Sequence, residues 1–448
     1  MKKIIIKGLV ISCLILPYIS PVLADDISEI KIELAKMRSD YEQRIQQLEK
    51  RLTAAEAANK QVANEVAVVK ATPFPKTHSI NDFNPAISLV LNGQYGHNTE
   101  SPGNYLLSGY SLQNEAGLAP EGFSLGESEI TLSANVDQLF AGQATFALAD
   151  NAGNVSIGIE EAYIETLGLG YGLTVRAGRF FSPIGYLNER HTHAWNFSDA
   201  PLIYRGLFGD QLTTDGLKLS YILPTDQLVE LGATIGSGGH YPGNGNHRAV
   251  GDWLVFAKTG GDIGISHSWQ AGVAHWESSP KDRSFGNGTN PVLFNGNTNI
   301  SNLSLIYKWA PNGNPTQQNF ILQSEFFYQH EDGMLSNSNT LAISNYNAKH
   351  YGGYLEGIYQ FAPRWRAGLR YDRLGSSFSG SNISLFNTAN FDLTGSNPQR
   401  YSFMLEWLPS EFSRIRAQLN YDQSSLIDDT QLFLQYTVNL GTHGAHSY

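Results

Sequence analysis

PQRYSFMLEWLPSEFSRIRAQLNY, residues 398–421, alternates with a period of two. In an extended chain Tyr401, Phe403, Leu405 and Trp407 share one face, while Glu406 lies on the other. After the break Pro409-Ser410 a second strand begins, and it sets Arg414, Arg416 and Asp422 on its polar face. One face is therefore apolar and closed by aromatic residues, and the opposite face carries charge. That pattern belongs to a strand with lipid or a core on one side and water on the other.

Working outward, the same alternation predicts sixteen strands between residues 86 and 441, among them 123–136, 154–167, 171–181, 211–223, 299–309, 317–330, 347–361, 364–374 and 430–441. The connections alternate too. Val136-Asp137-Gln138, Pro224-Thr-Asp-Gln227, Ala362-Pro363 and Pro409-Ser410 are short, whereas 98–122, 182–210, 277–298 and 375–397 are long. Short turns at one rim and long loops at the other are the layout of an outer-membrane barrel with both barrel ends on the periplasmic side. Within 154–167 the pair Glu160-Glu161 shifts the phase, which predicts a bulge. The fold expected is all-β, a transmembrane antiparallel β-barrel of about 16 strands preceded by an α-helical coiled coil.

The composition agrees with this layout. The 448 residues include 22 Tyr, 22 Phe, 7 Trp and 44 Gly, yet the mean hydropathy is only -0.25, as expected for strands with one polar face. No apolar run after the N-terminus is long enough for a spanning helix. From Asn84 onward 18 Lys and Arg stand against 31 Asp and Glu, a net of -13, which argues against nucleic acid as a partner.

Lys2, Lys3 and Lys7 around an apolar run ending in Val22-Leu-Ala24 predict a signal peptide over 1–24. It contains Cys13, the one cysteine, so the mature chain would have no disulfides. Residues 25–70 lack glycine and proline and space Ile27, Ile30, Leu34, Met37 and Tyr41 by threes and fours, a heptad pattern that predicts a periplasmic coiled coil. Residues 71–84 read as a linker and 85–448 as the barrel. Outer-membrane lipid and the barrel-assembly machinery are the expected partners, and the heptads predict a homotrimer joined through coil and barrel.

The stretch Phe181 to Gly209, FSPIGYLNERHTHAWNFSDAPLIYRGLFG, is the candidate site. Pro183, Gly185, Pro201, Gly206 and Gly209 interrupt any regular element, and the segment joins two amphipathic strands. Such a loop can fold inward and narrow a channel. Glu189, Arg190, His191, His193, Asp199 and Arg205 would face the constriction, with Trp195, Phe197 and Tyr204 packed on the inner wall. The wall itself would contribute Glu129, Arg176, Arg364, Arg366, Arg370, Arg414 and Arg416. His191 and His193 could ligate zinc with Glu189 or Asp199 as an oxygen ligand. Otherwise no cofactor is expected. A nucleophile-base-acid set or a phosphate-cradling glycine loop is not evident, so no enzyme is read.

Phe83-Asn-Pro-Ala-Ile-Ser88, Pro120-Glu-Gly-Phe-Ser-Leu-Gly-Glu127, Arg176-Ala-Gly-Arg-Phe-Phe181 and His193-Ala-Trp-Asn-Phe197 carry a resemblance. The chain resembles bacterial outer-membrane barrels in which a coiled coil precedes a domain similar to the phosphate-selective porins, a family also linked with zinc-regulated outer-membrane receptors. The resemblance implies a porin-like channel for passive diffusion of small hydrophilic solutes or ions. The acidic excess of the barrel favours cations in such a channel. The competing expectations are a structural tether, with the coil reaching toward the cell wall and a plugged barrel as anchor, or a metal-related receptor. Histidine near its usual pKa would make selectivity change between about pH 5 and pH 8.

Overall fold

A computed structural model describes residues 85–441 apart from 113–115, 152–153, 245–249, 286–289, 390 and 392–396, together with Gln46 and Lys50. The chain divides into two units, Met1–Asp82 and Phe83–Tyr448. Gln46 and Lys50 are helical and exposed. The signal peptide, the linker and the rest of the predicted coiled coil lie outside the described residues.

The second unit is a strand succession. It opens with β1 (Ala86–Asn98), β2 (Gly122–Leu125), β3 (Ser128–Asn135), β4 (Phe140–Asn151), β5 (Asn154–Thr166) and β6 (Leu173–Phe181). There follow β7 (Thr213–Ile222), β8 (Leu228–Gly236), β9 (Asp252–Ile263), β10 (His267–Ser278), β11 (Arg283–Phe285) and β12 (Val292–Trp309). The last six are β13 (Asn319–Asn337), β14 (Ala342–Ala362), β15 (Trp365–Gly380), β16 (Gln399–Ser410), β17 (Ser413–Gln423) and β18 (Asp429–Gly441). All pairings are antiparallel, and β1 closes the sheet by pairing with β18 on one side and with β2 and β3 on the other. Because β2 with β3, and β10 with β11, each act as one interrupted stave, eighteen strands make a sixteen-stave barrel. No edge is left open, which is the condition for a sheet to cross a bilayer.

The alternation read from the sequence sets the faces. Tyr401, Phe403, Leu405 and Trp407 are exposed on the outside, as are Leu303, Leu305, Leu434, Tyr436 and Leu440. Inward positions on the same wall, Arg400, Glu406, Arg416, Gln418 and Asn420, are buried and polar. The bulge in β5 is present: Thr145 faces Glu161 and Phe146 faces Ile159, leaving Glu160 as the extra residue.

Two differences from the expected strands have physical causes. β12 to β15 run to 18, 19, 21 and 16 residues, longer than the roughly ten that cross a membrane. Past the lipid their outward residues, such as Asn299, Asn345 and Ser377, turn polar, so alternation fades while hydrogen bonding continues. Secondly, Arg364 was expected among the pore-lining residues. It is instead exposed on the short turn between β14 and β15 with φ of +69°, because the turn ends the strand before the parity rule reaches it.

The lumen holds an apolar core. Ile184, Leu187, Trp195, Leu202, Ile203, Tyr204, Leu207 and Phe208, all from the loop after β6, pack against Phe256, Trp276, Ile300, Phe327 and Tyr354 of the wall. Leu202–Phe208 forms a short helix, α1, capped by Gly209 in the left-handed region.

Candidate functional site

The loop between β6 and β7 leaves the wall and returns to it at one point. Asn188, fully buried, donates from Nδ2 to the carbonyls of Ser182 at 2.7 Å and Leu212 at 2.8 Å, and its Oδ1 accepts from the Leu212 N–H at 2.8 Å. That side chain ties the two ends of the loop together. Gly185, with φ of +92°, lets the backbone approach β13 closely; a Cβ there would lie 2.3 Å from Glu325 Oε1. Glu325 can then accept from the Tyr186 N–H at 2.6 Å, the Tyr204 hydroxyl at 2.8 Å and the Tyr354 hydroxyl at 2.7 Å.

Three charged contacts carry the loop across the lumen. Glu189 meets Lys218 of β7 at 3.1 Å and also Lys258 of β9. Burial pushes its carboxyl up, but the two ammonium groups outweigh this and hold it at about 2. At the far wall Asp199 accepts from Arg370 at 2.6 Å, Arg400 at 2.8 Å, Gln418 at 2.7 Å, Asn420 at 3.0 Å and Arg205 at 3.3 Å. Burial again opposes its charge, and Arg400, Arg370 and Arg205 overcome it, holding the carboxyl far below the usual carboxylate range. Backbone is held alongside: Arg370 and Arg400 donate to the carbonyls of Asp199 and Ala200, Arg416 donates to that of Trp195, and Asp372 accepts from the Leu202 N–H.

The third contact is with β3 and β5. His193 Nδ1 lies 2.8 Å from Glu129 Oε1, and His191 Nδ1 lies 3.1 Å from both Glu129 Oε2 and Glu160 Oε2. His191 Nε2 is 3.1 Å from Glu161 Oε2. The bulge that frees Glu160 brings two successive glutamates to one imidazole, and the two rings stack at 5.6 Å. Burial lowers the His191 pKa, but the hydrogen bonds its ring donates to the carboxylates of Glu129, Glu160 and Glu161 outweigh it and raise it well above the ordinary value. Thr192 donates to Glu127 beside them. Glu129, His191 and His193 offer ligand atoms within 4.8 Å of one another and could hold a metal, as could the carboxylates of Glu127, Glu129 and Glu160 beside them. The oxygen ligand would thus be Glu129. Glu189 and Asp199, the expected alternatives, are taken up by lysines and arginines elsewhere. His240 is also apart, 2.9 Å from Asp215, and His247 lies outside the described residues.

Below the loop, at the short-turn rim, lies a cavity of about 570 Å³. Arg190, Arg366 and Arg414 line it as expected. Asp199, Arg205, Arg370 and Arg416 do not face open water; they are sealed into the loop's seat, each 6% exposed or less. Arg176 is on the lumenal face beside Glu165 at 2.7 Å, with its guanidinium 4.0 Å from the Tyr163 ring. Sequence reasoning missed Arg400, Asn188, Gln418 and Asn420. Arg400 has the inward parity of Glu406 and could have been found, whereas nothing local distinguishes Asn188 from any other loop amide.

A closed antiparallel barrel with an aromatic-edged outer face, a polar lumen and an inward-folded loop is a porin of the outer membrane. The chain belongs to the family described as "Putative beta-barrel porin-2, OmpL-like", whose model matches residues 85–438. An uncharacterised protein of Aquifex aeolicus (strain VF5) is 28% identical over 345 residues, covering 73% of this chain and 70% of that protein. Among solved structures, OmpT of Vibrio cholerae in its trimer form is 12% identical with a TM-score of 0.48, covering 80% of this chain and 99% of that one. The outer membrane channel DcaP of Acinetobacter baumannii is 12% identical with a TM-score of 0.47, covering 80% and 97%.

Proposed function

We propose that this porin passes small hydrophilic solutes or ions by diffusion, and that residues 181–209 are its constriction. The observation that carries the reading is Asp199, which pins the loop to β15, β16 and β17, about half-way round the barrel from β7, where Glu189 meets Lys218. A loop held at both walls narrows the passage without depending on a moving gate. Planar-bilayer recording of the purified protein tests it: stepwise conductance is expected, and its absence would leave a plugged barrel that anchors a tether.

β1 starts at the short-turn rim, where Ala86 pairs with Ser133, which supports a periplasmic position for the segment before it. Its heptads support a coiled coil and a homotrimer. Cross-linking in intact membranes followed by mass measurement tests this, and a persistent monomer overturns it.

A second reading rests on the Glu129, His191 and His193 geometry, which would hold zinc by one carboxylate and two imidazoles, with Glu161 orienting His191 from behind. Calorimetric titration of chelator-treated protein with zinc should give one site that is lost in Glu129→Gln. Equal binding by the variant would dismiss it.

A further inference from the structure

The cavity below the loop has an unbalanced charge. Arg190 comes from the loop, Lys308 from β12, Arg366 from β15 and Arg414 from β17, against a single lining carboxylate, Glu411, on the turn between β16 and β17. The carboxylate of Glu406 is shared between Arg366 and Arg416, the latter at 2.6 Å, so it neutralises at most one of them. Among the described residues Arg190, Lys308 and Arg414 form no ion pair. Arg190 lies over the Tyr186 ring at 4.2 Å. Arg414 reaches only the Thr437 hydroxyl, at 3.3 Å, and its Nη2 is buried without a hydrogen-bond partner. A guanidinium nitrogen left in this state is costly unless something accepts from it. Apolar residues share the lining of the same cavity, Trp195 and Phe412 among them.

We infer that this cavity is a binding chamber for an organic anion: a carboxylate, sulfonate or phosphate ester whose charged group meets Arg414, with Lys308 elsewhere in the lining adding to the positive field, while an apolar or aromatic body lies against the apolar lining residues Trp195 and Phe412. Like charges gathered in a partly enclosed space raise one another's energy, and an anion relieves this at several points together. Guanidinium supplies directed donors to its oxygens, and ammonium supplies a mobile point charge. The volume, about 570 Å³, lies within the range of small-molecule pockets. The net charge of the chain pointed toward cations; the local charge at the cavity is the reverse, because four cationic side chains outnumber Glu411, the one carboxylate in its lining. The inference deepens the channel reading and rests on it, since the chamber would be the periplasmic vestibule of the same path.

Calorimetry on the purified full-length protein in detergent, against a detergent blank, tests it with benzoate, benzylammonium, benzyl alcohol and inorganic phosphate. Benzoate should bind, and the other three should bind about tenfold more weakly or worse, because each lacks either the charge or the body. Lys308→Gln with Arg414→Gln should weaken benzoate about tenfold or more. Neither residue holds the loop, and resistance of the loop to trypsin verifies that the variant is folded. Benzylammonium, benzyl alcohol or phosphate binding as tightly as benzoate would overturn the inference, as would unchanged benzoate affinity in the variant. Binding is read without conduction, so a protein that binds but does not conduct refutes the channel, and one that conducts without binding refutes the chamber.

Discussion

Two walls of the lumen hold one loop by opposite means. Along β3 and β5 the wall is acidic, and the loop presents His191 and His193 to Glu129, Glu160 and Glu161. Along β15 to β17 the wall is basic, and the loop presents Asp199 to Arg370 and Arg400. Only one orientation of the loop satisfies both. The seats differ at one point, however: Asp199, Arg370 and Arg400 are 6% exposed or less, as are His193 and Glu129, while the His191 side chain keeps 20%. The basic seat should therefore dominate the energetics, since ion pairs deprived of water are the ones whose loss is costly.

Removing the basic seat is the strongest way to break the comparison. Asp199→Ala leaves Arg370 and Arg400 to share Asp372 alone, so one buried positive charge is uncompensated, at a cost of about 3–5 kcal/mol. The loop should detach, single-channel conductance should rise, and trypsin should cut after Arg205, which is 4% exposed in the wild type. Glu129→Gln on the acidic wall should give a clearly smaller rise. Equal rises from the two would show that the walls share the load.

Next is the approach of the loop to β13. Gly185→Val puts a Cβ 2.3 Å from Glu325 Oε1 and requires φ of +92°, for a penalty of about 1–3 kcal/mol. Open-channel noise should increase at nearly unchanged mean conductance. A silent substitution would mean that the Glu325 contacts do not fix the loop.

How far the sequence revealed this arrangement depends on the range of the interaction. Tyr401, Phe403, Leu405 and Trp407 declared their face because period two is a local property, and Glu160-Glu161 declared the bulge for the same reason. Pro183, Gly185 and Pro201 declared an irregular segment. What could not be read was which wall residue each loop residue meets. His191 finds Glu129, Glu160 and Glu161, 62, 31 and 30 positions earlier, and Asp199 finds Arg400 201 positions later. Those pairings follow from barrel closure and strand stagger, which no window of sequence contains. Arg370, Arg414 and Arg416 looked alike as inward cations, yet depth separates the buried clamps Arg370 and Arg416 from Arg414 at the cavity.

Acid sharpens the comparison further. The Asp199 carboxyl is held far below the usual range, so its contribution to loop anchoring is present above the unfolded pKa of about 3.9 and is lost only as pH falls through the depressed folded value. Glu189 behaves likewise, with its loss centred near its folded value of about 2. Conductance at constant salt should thus show no loop-release step between about pH 7 and pH 4. A step near pH 4 would mean that the arginines do not hold the Asp199 charge.

The smallest effect is on the acidic wall. His191 has both ring nitrogens against carboxylates, so the geometry is that of an imidazolium, and its pKa is raised. The sign is opposite to that of Asp199: the stabilisation is complete below the unfolded pKa of about 6.5 and is lost as pH rises through the higher folded value. This alters the expectation that His191 drives a selectivity change between about pH 5 and pH 8, because its charge persists through the lower part of that window and fades on the alkaline side. Histidine-selective NMR of chelator-treated protein, with His191→Gln to assign the resonance, should show that signal titrating above about 6.5. Titration at or below that value would mean that the carboxylates facing it do not hold the His191 charge, and the acidic wall would then grip the loop through a neutral imidazole.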